Sequence, residues 1–195
     1  MDVVVGKEGH NTRVFTGNLS QVVFNPSWNI PESIVEKEII PEIDKDPDYL
    51  EKEDMEITGE TEDGIPEISQ KPGPKNALGK IKFIFPNSFD IYFHDTPAKS
   101  LFKSNKRAFS HGCIRLSKPV QLAEYLLDNQ PGWSTAKIHE AMSSEEEKFV
   151  KLKDPVPVLI SYYTAWVDEN GKLNFREDIY DHDLELSKKM FTNSL

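Results

Sequence analysis

A histidine and a cysteine carry most of the chemistry available to this chain. Cys113, the only cysteine, lies in the run AFSHGCIRLSKP at 108–119, and fifteen residues separate His94 from Ser110. A cysteine nucleophile needs a base, a group that holds that base, and N–H donors for the developing oxyanion. His94 and His111 are the imidazoles near Cys113 in sequence, so both are candidate bases.

The residues around Cys113 favour an activated thiol. Gly112 allows a tight turn, which would aim successive N–H groups at one point. A free thiol has a pKa of about 8.5 and is only a few per cent ionised at neutral pH, so a histidine within hydrogen-bond reach would raise its reactive fraction. An activated Cys113 is expected to react quickly with thiol reagents near neutral pH, and a buried inert one is not.

Two other interpretations of Cys113 stay open on the residues alone. A lone cysteine is most often a small buried hydrophobic residue. A zinc site of His94, His111 and Cys113 is conceivable, but the single residue between the last two is tighter than usual ligand spacing, and no clear fourth ligand follows. We therefore expect no metal and no cofactor.

The elements that must position these residues predict a mainly β fold with a few peripheral helices. Strand patterns are clearest at 79–85, 91–94 and 156–167, the last followed by a hairpin turn at 168–171. Helices are predicted at 31–40, stopped or kinked by Pro41; at 44–54; from Ser117 to beyond Pro119, with Ser117 as the cap; at 134–149; and at 183–191.

Residues 40–78 are predicted to be an insertion within a single domain that covers residues 1–195. Its later part, 58–76, is rich in Gly, Pro and acidic residues and shows little periodicity, so we expect an irregular excursion. A mobile lid and a disordered surface loop are both compatible with this composition.

The composition argues against several classes of function. The chain has 33 acidic and 23 basic residues, a net charge of −10, which disfavours nucleic acid and anionic membrane surfaces as partners because both call for a basic face. No apolar run approaches the roughly 18 residues of a membrane span. No signal peptide is visible in residues 1–10.

The ordered motifs resemble the signature of the L,D-transpeptidase catalytic domain, the YkuD family. That signature is a histidine, a spacer of similar length, then Ser/Thr-His-Gly-Cys, a hydrophobic residue and Asn or Arg; here the last position is Arg115. The stretches 25–31, 71–83 and 164–180 resemble the larger periplasmic, YcbB-like branch of the family. In that branch the segment corresponding to 40–78 forms a lid over the cleft.

The resemblance implies a fold and a reaction. The family fold is a mainly β sandwich with Cys and His on adjacent parts of one sheet, and the family joins peptidoglycan stem peptides. Cys113 would be the nucleophile and His94 the base, with the backbone carbonyl of Asp95 fixing the tautomer of His94. The backbone N–H groups of Gly112 and Cys113 would form the oxyanion hole.

Five further positions are candidate site residues with two interpretations each. His111 would line the pocket rather than act as the base. Arg115 would hold a substrate carboxylate or brace the loop through an ion pair. Tyr92 would line the donor site or belong to the core, and Trp28 would wall the cleft or be buried for structure. Ser110 fits a loop hydrogen bond better than a catalytic role.

The resemblance also implies partners and a location. Peptidoglycan stem peptides would serve as donor and acceptor, carbapenem-type inhibitors would acylate Cys113, and the protein would work in the bacterial periplasm or cell envelope. An L,D-carboxypeptidase, or an enzyme that attaches or releases wall-linked proteins, would use the same site. A non-catalytic wall-binding module is the alternative from another class.

Overall fold

A mixed seven-stranded sheet forms the main body of the protein. The computed structural model describes residues 1–191, and the strand order in the sheet is β10-β2-β6-β7-β9-β1-β8. Numbered along the chain, these strands are β1 (Val3–Gly6), β2 (Phe15–Phe24), β6 (Ile81–Ile84), β7 (Phe93–His94), β8 (Ala108–Ser110), β9 (Ile114–Leu116) and β10 (Lys148–Ile160); the missing numbers belong to smaller sheets. The prediction of a mainly β fold is confirmed.

The sheet buries one face through simple alternation. Along β6, Ile81 and Phe83 are fully buried while Lys82 and Ile84 face the other side of the sheet. The helices α4 (Pro119–Leu127) and α5 (Thr135–Ser143), numbered along the chain, supply buried residues to the same core, among them Leu127. One face of β6 is thus committed to the core, and the opposite face is available for a site.

A second, smaller body covers residues 28–70 and is called the small unit below. It contains a three-stranded sheet of order β3-β5-β4 and a broken helical segment. Its elements are β3 (Trp28–Asn29), α1 (Glu32–Ile34), a π-helical segment (Val35–Ile39), α2 (Ile40–Lys45), α3 (Tyr49–Lys52), β4 (Met55–Glu60) and β5 (Pro66–Gln70). Ile30, Ile34, Val35, Ile39 and Ile68 form its separate core.

The expectation of an irregular excursion over 58–76 is wrong. Its first half is the hairpin of β4 and β5, closed by a turn in which Thr61 N–H donates to the Ile65 carbonyl at 2.8 Å and Gly64 N–H donates to the Thr61 carbonyl at 3.0 Å. The short strand PEISQ has only one large apolar residue, Ile68, so its alternation is too brief to stand out in the sequence.

The helical predictions for this region need correction at two places. The helix predicted to end at Pro41 continues to Lys45, because the π-helical turn before it bonds Ile40 N–H to the Val35 carbonyl and places Pro41 in the first turn of α2, where a proline costs little. The helix predicted at 44–54 is reduced to α3, since Asp46-Pro47 interrupts it.

Four predicted boundaries also differ in the second half of the chain. Lys118, not Ser117, occupies the cap position of α4, and it makes no side-chain cap bond. The helix predicted at 134–149 ends at Ser143, and β10 begins at Lys148, earlier than the predicted strand at 156–167. That strand also breaks after Ile160.

The C-terminal segment carries the remaining elements. β11 (Ala165–Val167) and β12 (Leu173–Phe175) pair as the predicted hairpin, and α6 (His182–Phe191) confirms the last predicted helix. Among residues 1–191, no helix is both long and apolar enough to cross a membrane.

Candidate active site

The sheet register places His94 between two cationic residues. His94 in β7 pairs with Lys82 of β6 on one side and with Arg115 of β9 on the other. Because directly paired residues of neighbouring strands point to the same face, the three side chains form a row across the sheet. His94, Lys82 and Arg115 all line one cavity of about 650 Å³.

Cys113 lies in the same cavity, at the end of the tight loop between β8 and β9. Gly112 has a φ of +119°, a conformation that side chains other than hydrogen rarely adopt, which explains the glycine before the cysteine. Thr12 Oγ1 donates to the Gly112 carbonyl at 2.8 Å and fixes the turn from outside.

Ser110 fastens the loop from within. Its hydroxyl donates to the Cys113 carbonyl at 2.6 Å and accepts a hydrogen bond from Gly112 N–H at 3.2 Å, and the residue is only 2% exposed. The structure therefore places Ser110 as the loop hydrogen-bonder that the sequence favoured. It also occupies the Gly112 N–H, one of the two predicted oxyanion donors.

His94 is buried, and its tautomer is set by its neighbour. Nδ1 lies 2.5 Å from the backbone carbonyl of Asp95. A carbonyl can only accept, so Nδ1 carries the proton and Nε2 is left as the acceptor that a general base requires. This is the arrangement that the resemblance implied for Asp95.

Asp95 itself is held from three sides. Its side chain accepts a hydrogen bond from Lys80 N–H at 3.0 Å and forms an ion pair with Lys99, and its own N–H donates to the Ile81 carbonyl at 2.8 Å. Such bracing fixes the carbonyl that orients His94.

The resting thiol and imidazole are both neutral. Burial, followed by the charge of Arg115, lowers the pKa of His94 to about 3. Burial raises the pKa of the Cys113 thiol, although hydrogen bonds from Tyr92 and the charge of Lys82 act the other way. These directions describe a neutral thiol and a neutral imidazole in one cavity, and a raised thiol pKa does not favour the fast reaction near neutral pH expected of an activated Cys113.

Two aromatic residues wall the cavity beside the thiol. Burial and then the neighbouring Cys113 raise the pKa of Tyr92, which lines the cavity together with Cys113 and Trp28. Cys113 Sγ also donates to the Asp90 carbonyl at 3.5 Å. Tyr92 and Trp28 thus line the cavity, and Trp28 reaches it from the small unit.

His111 is engaged away from the thiol. Its Nε2 lies 2.7 Å from Glu38 Oε1 of the small unit and 3.2 Å from Lys7 Nζ, and its ring packs edge-on against His10 at a centroid distance of 4.9 Å. With these partners His111, which also lines the cavity, joins the loop that holds Cys113 to the small unit.

Arg115 has no carboxylate partner among the described residues, which leaves its ion-pair interpretation unsupported. Its Nε is buried and makes no hydrogen bond to any part of residues 1–191. Burial lowers the pKa of its guanidinium, and the nearby Cys113 partly offsets that effect. A buried donor without an acceptor fits a residue that receives an anionic ligand.

Sequence reasoning missed Lys82 and Glu38. Lys82 stands in the run KIKFIF, where the alternation with apolar residues places it on the face opposite the core. Only the strand register reveals that it neighbours His94. Glu38 belongs to a helix far from Cys113 in sequence, and nothing in the pattern signals its contact with His111. No group of three or more His, Cys, Asp or Glu side chains within residues 1–191 is arranged to hold a metal ion.

Comparison with known proteins agrees with this geometry. A profile of the YkuD family, described as the L,D-transpeptidase catalytic domain, matches residues 1–158, which include every residue of the site. A Haemophilus influenzae protein named "Putative L,D-transpeptidase" is 32% identical over 199 residues, covering 95% of this chain. The chain spans only 40% of the length of that relative.

Proposed function

Because the chain belongs to the YkuD family of L,D-transpeptidase catalytic domains, we propose that it forms 3→3 cross-links between peptidoglycan stem peptides through a thioester on Cys113. The observation that supports this most directly is the tautomer of His94, whose Nδ1 is committed to the Asp95 carbonyl. An acceptor nitrogen is thereby kept free in the cavity that also holds the lone thiol.

In the first half-reaction, Cys113 Sγ attacks the carbonyl between the third and fourth residues of a donor stem. The thiol proton passes to His94 Nε2, and a tetrahedral oxyanion forms. When that intermediate collapses, the C–N bond breaks and His94 returns the proton to the departing amine of the fourth residue. The third residue remains attached to Cys113 as a thioester.

In the second half-reaction, the side-chain amine of an acceptor stem attacks the thioester. His94 Nε2 takes a proton from the attacking amine, the C–S bond breaks, and the thiol of Cys113 is restored with that proton. The new amide bond joins the two third residues. Because His94 is neutral at rest, it is available to accept a proton in both halves.

The oxyanion would be held by backbone donors of the cysteine loop. Cys113 N–H is the first of these, since the positive φ of Gly112 turns the chain just before it. Gly112 N–H would join after releasing Ser110 Oγ, a bond that is long at 3.2 Å. Arg115, with its buried unpaired Nε, would hold a carboxylate of the donor.

We further propose that the small unit acts as a lid over the donor site, as the larger periplasmic branch of the family would suggest. Trp28, Asn29, Pro31 and Ile34 of this unit line the cavity. The protein would work in the periplasm or cell envelope, where its substrate lies. Membership of that branch rests on the sequence stretches at 25–31, 71–83 and 164–180.

The decisive experiment mixes wild-type protein or Cys113→Ala with a disaccharide-tetrapeptide and follows products by chromatography and mass spectrometry. Cross-linked dimers from the wild type alone would support transpeptidation through Cys113. Tripeptide without dimers would move the assignment to an L,D-carboxypeptidase or to protein attachment. Folded wild type that gives neither adduct nor product would favour a wall-binding module.

Carbapenems provide a second test of the same thiol. Cys113 Sγ would attack the strained lactam carbonyl, and the C–N bond of the ring would open with the thiol proton moving to the ring nitrogen. The whole drug would then stay bound as a thioester, so the mass of the protein would rise by the full mass of the drug. Intact mass spectrometry should show one added drug molecule on wild type and none on Cys113→Ala. An unmodified mass for folded wild type would count against the proposal.

A further inference from the structure

Lys82 is a half-buried cation of the site for which the reaction above gives no role. It lies beside His94 across the β6–β7 pair and lines the cavity of Cys113. Its Nζ sits 4.0 Å from the centroid of the Tyr92 ring, and Tyr92 lines the same cavity as Cys113. The ring thus holds the ammonium on the side of the sheet where the thiol lies.

No carboxylate within residues 1–191 comes within 4.0 Å of the Lys82 ammonium, so its charge is balanced by no ion pair. Removing an ammonium from water without a partner is costly, and burial lowers the pKa of Lys82. A structural lysine would avoid that cost by reaching solvent or an acid. The cost is offset where an anion forms in the cavity.

Cys113 is the group within the protein that can become that anion. Transfer of its proton to His94 alone would create an imidazolium between Lys82 and Arg115, and both cations oppose a positive His94. The same two cations favour a negative sulfur. The other titratable groups lining the cavity are Asp90, Tyr92, His111 and Glu147; Asp90 acts against the thiolate, and the charge of Glu147 favours the protonated form of Lys82 without an ion pair between them.

We propose that Lys82 stabilises the thiolate of Cys113 as the thiol proton passes to His94, so that the cations of the sheet share the counter-charge of the nucleophile with the imidazolium. This rests on the proposed function in that the thiolate is the attacking species. In the usual cysteine–histidine pair the protonated histidine alone balances the sulfur, and here Lys82 adds to it. Lys82 acts through its charge on Cys113 and does not itself react with the substrate.

The test uses alkylation of Cys113 by iodoacetamide, a neutral reagent that needs no donor peptide. The thiolate sulfur displaces iodide, a C–S bond forms, and the proton lost from sulfur goes to solvent. Because Cys113 is the only cysteine, each added mass reports that thiol alone. Rates are measured across pH for the whole chain by intact mass spectrometry.

Lys82→Met keeps the length of the side chain and removes the charge. We expect the midpoint of its pH–rate profile to rise by about one pH unit, with about tenfold slower alkylation at any pH below the midpoint. Lys82→Arg keeps a cation and should stay near wild type. Lys151→Met removes an exposed charge of the same sheet and should not move the profile.

An unchanged profile for folded Lys82→Met would overturn the inference. An unchanged profile with a raised KM for the tetrapeptide would also overturn it, because Lys82 would then bind substrate. The two proposals can be told apart by their results. If cross-links form but Lys82→Met does not change the alkylation profile, the proposed function stands and the inference about Lys82 fails. A shifted profile without cross-links would support Lys82 and reject the transpeptidase.

Discussion

The seven-stranded sheet and the small unit both wall the cavity, but they bury very different cores. The core of the sheet contains 15 buried apolar residues, and that of the small unit contains five. The two residues proposed to react lie on or beside the larger body: His94 on β7 and Cys113 directly before β9. The small unit supplies only walls and one polar contact to the cysteine loop.

The difference in core size indicates that the part of the site on the sheet is fixed and that the part on the small unit can move. A catalytic constellation needs a rigid support, and strand register provides one for the row of Lys82, His94 and Arg115. A body with few buried contacts lies at the low-stability end of the fold, where lids are drawn from. The predictions below test this division from the largest expected effect to the smallest.

The largest effect should come from removing the base on the rigid body. His94→Gln keeps a polar side chain but no longer accepts the thiol proton, so donor turnover should fall by about 10²–10⁴-fold. Turnover is measured with the disaccharide-tetrapeptide, and unchanged thermal unfolding is the control for folding. Turnover close to wild type would reassign the base.

The pH dependence of the wild type follows from the same pair. With the His94 pKa at about 3, the base stays unprotonated throughout the neutral range. The pKa of Cys113 is raised, so the pair stays as thiol and neutral imidazole through neutrality, and acylation by proton transfer from Cys113 to His94 should change little with pH there. The measurement is the pre-steady-state acylation rate as a function of pH. A rate that follows the titration curve of an imidazole with a midpoint between pH 5 and 8 would contradict these pKa values.

A matched pair of core truncations should separate the two bodies. Phe83→Ala in the sheet should cost about 3–5 kcal/mol and Ile68→Ala in the small unit about 2–5 kcal/mol of local stability, because both side chains are buried. Hydrogen exchange measured by mass spectrometry should rise over the whole chain for Phe83→Ala. For Ile68→Ala it should rise within residues 28–70 only.

One exchange pattern would contradict the division into two separately stable bodies. If Ile68→Ala loosened the strands of the large sheet as much as the small unit, the two bodies would unfold as one cooperative unit. The small unit would then be a wall of the site, and the lid proposal would fail.

Gly79→Ala should produce the next largest effect. Gly79 has a φ of +64°, and an added Cβ would lie 2.5 Å from Asp95 Oδ2 and 2.7 Å from Asp95 Cβ. We expect a loss of about 2 kcal/mol or more in urea unfolding, together with slower turnover, because Asp95 carries the carbonyl that orients His94. Gly73→Ala, where an added Cβ meets nothing within 4 Å, is the control.

The sequence predicted the rigid body better than the small unit, for a physical reason. Apolar alternation is strong in IKFIF and in the run ending at His94, and the His-Gly-Cys motif pointed to the loop that holds the thiol. Inside residues 28–70 the strands are short and polar, so the hairpin of β4 and β5 gave no comparable signal.

The contacts around the site were less predictable than its members. The row formed by Lys82 and Arg115 beside His94 depends on strand register, which no local pattern encodes. The contact of Glu38 with His111 joins residues 73 apart and depends on how the small unit lies against the sheet. Even the protonation state of Cys113 follows from burial, which the fold decides.

The smallest expected effect concerns the link between the two bodies. Glu38 Oε1 lies 2.7 Å from His111 Nε2 and 3.5 Å from Lys7 Nζ. The pKa of Glu38 is lowered: burial raises it, but the hydrogen bond and charge of His111 and the charge of Lys7 outweigh that. Since the pair is about half exposed, it should contribute no more than roughly 1 kcal/mol.

A carboxylate with a lowered pKa stabilises the folded state above the ordinary glutamate pKa of 4.5, and that contribution is lost as the pH falls through the lower folded value. Glu38→Gln should therefore increase hydrogen exchange in the small unit at pH 7 and change little near pH 3. Glu36→Gln, an exposed neighbour on the same π-helical segment, should match wild type at both pH values. Equal exchange in both variants at pH 7 would show that the Glu38–His111 contact does not hold the small unit, and that its apolar contacts alone do. Acidification would then not loosen the small unit through Glu38.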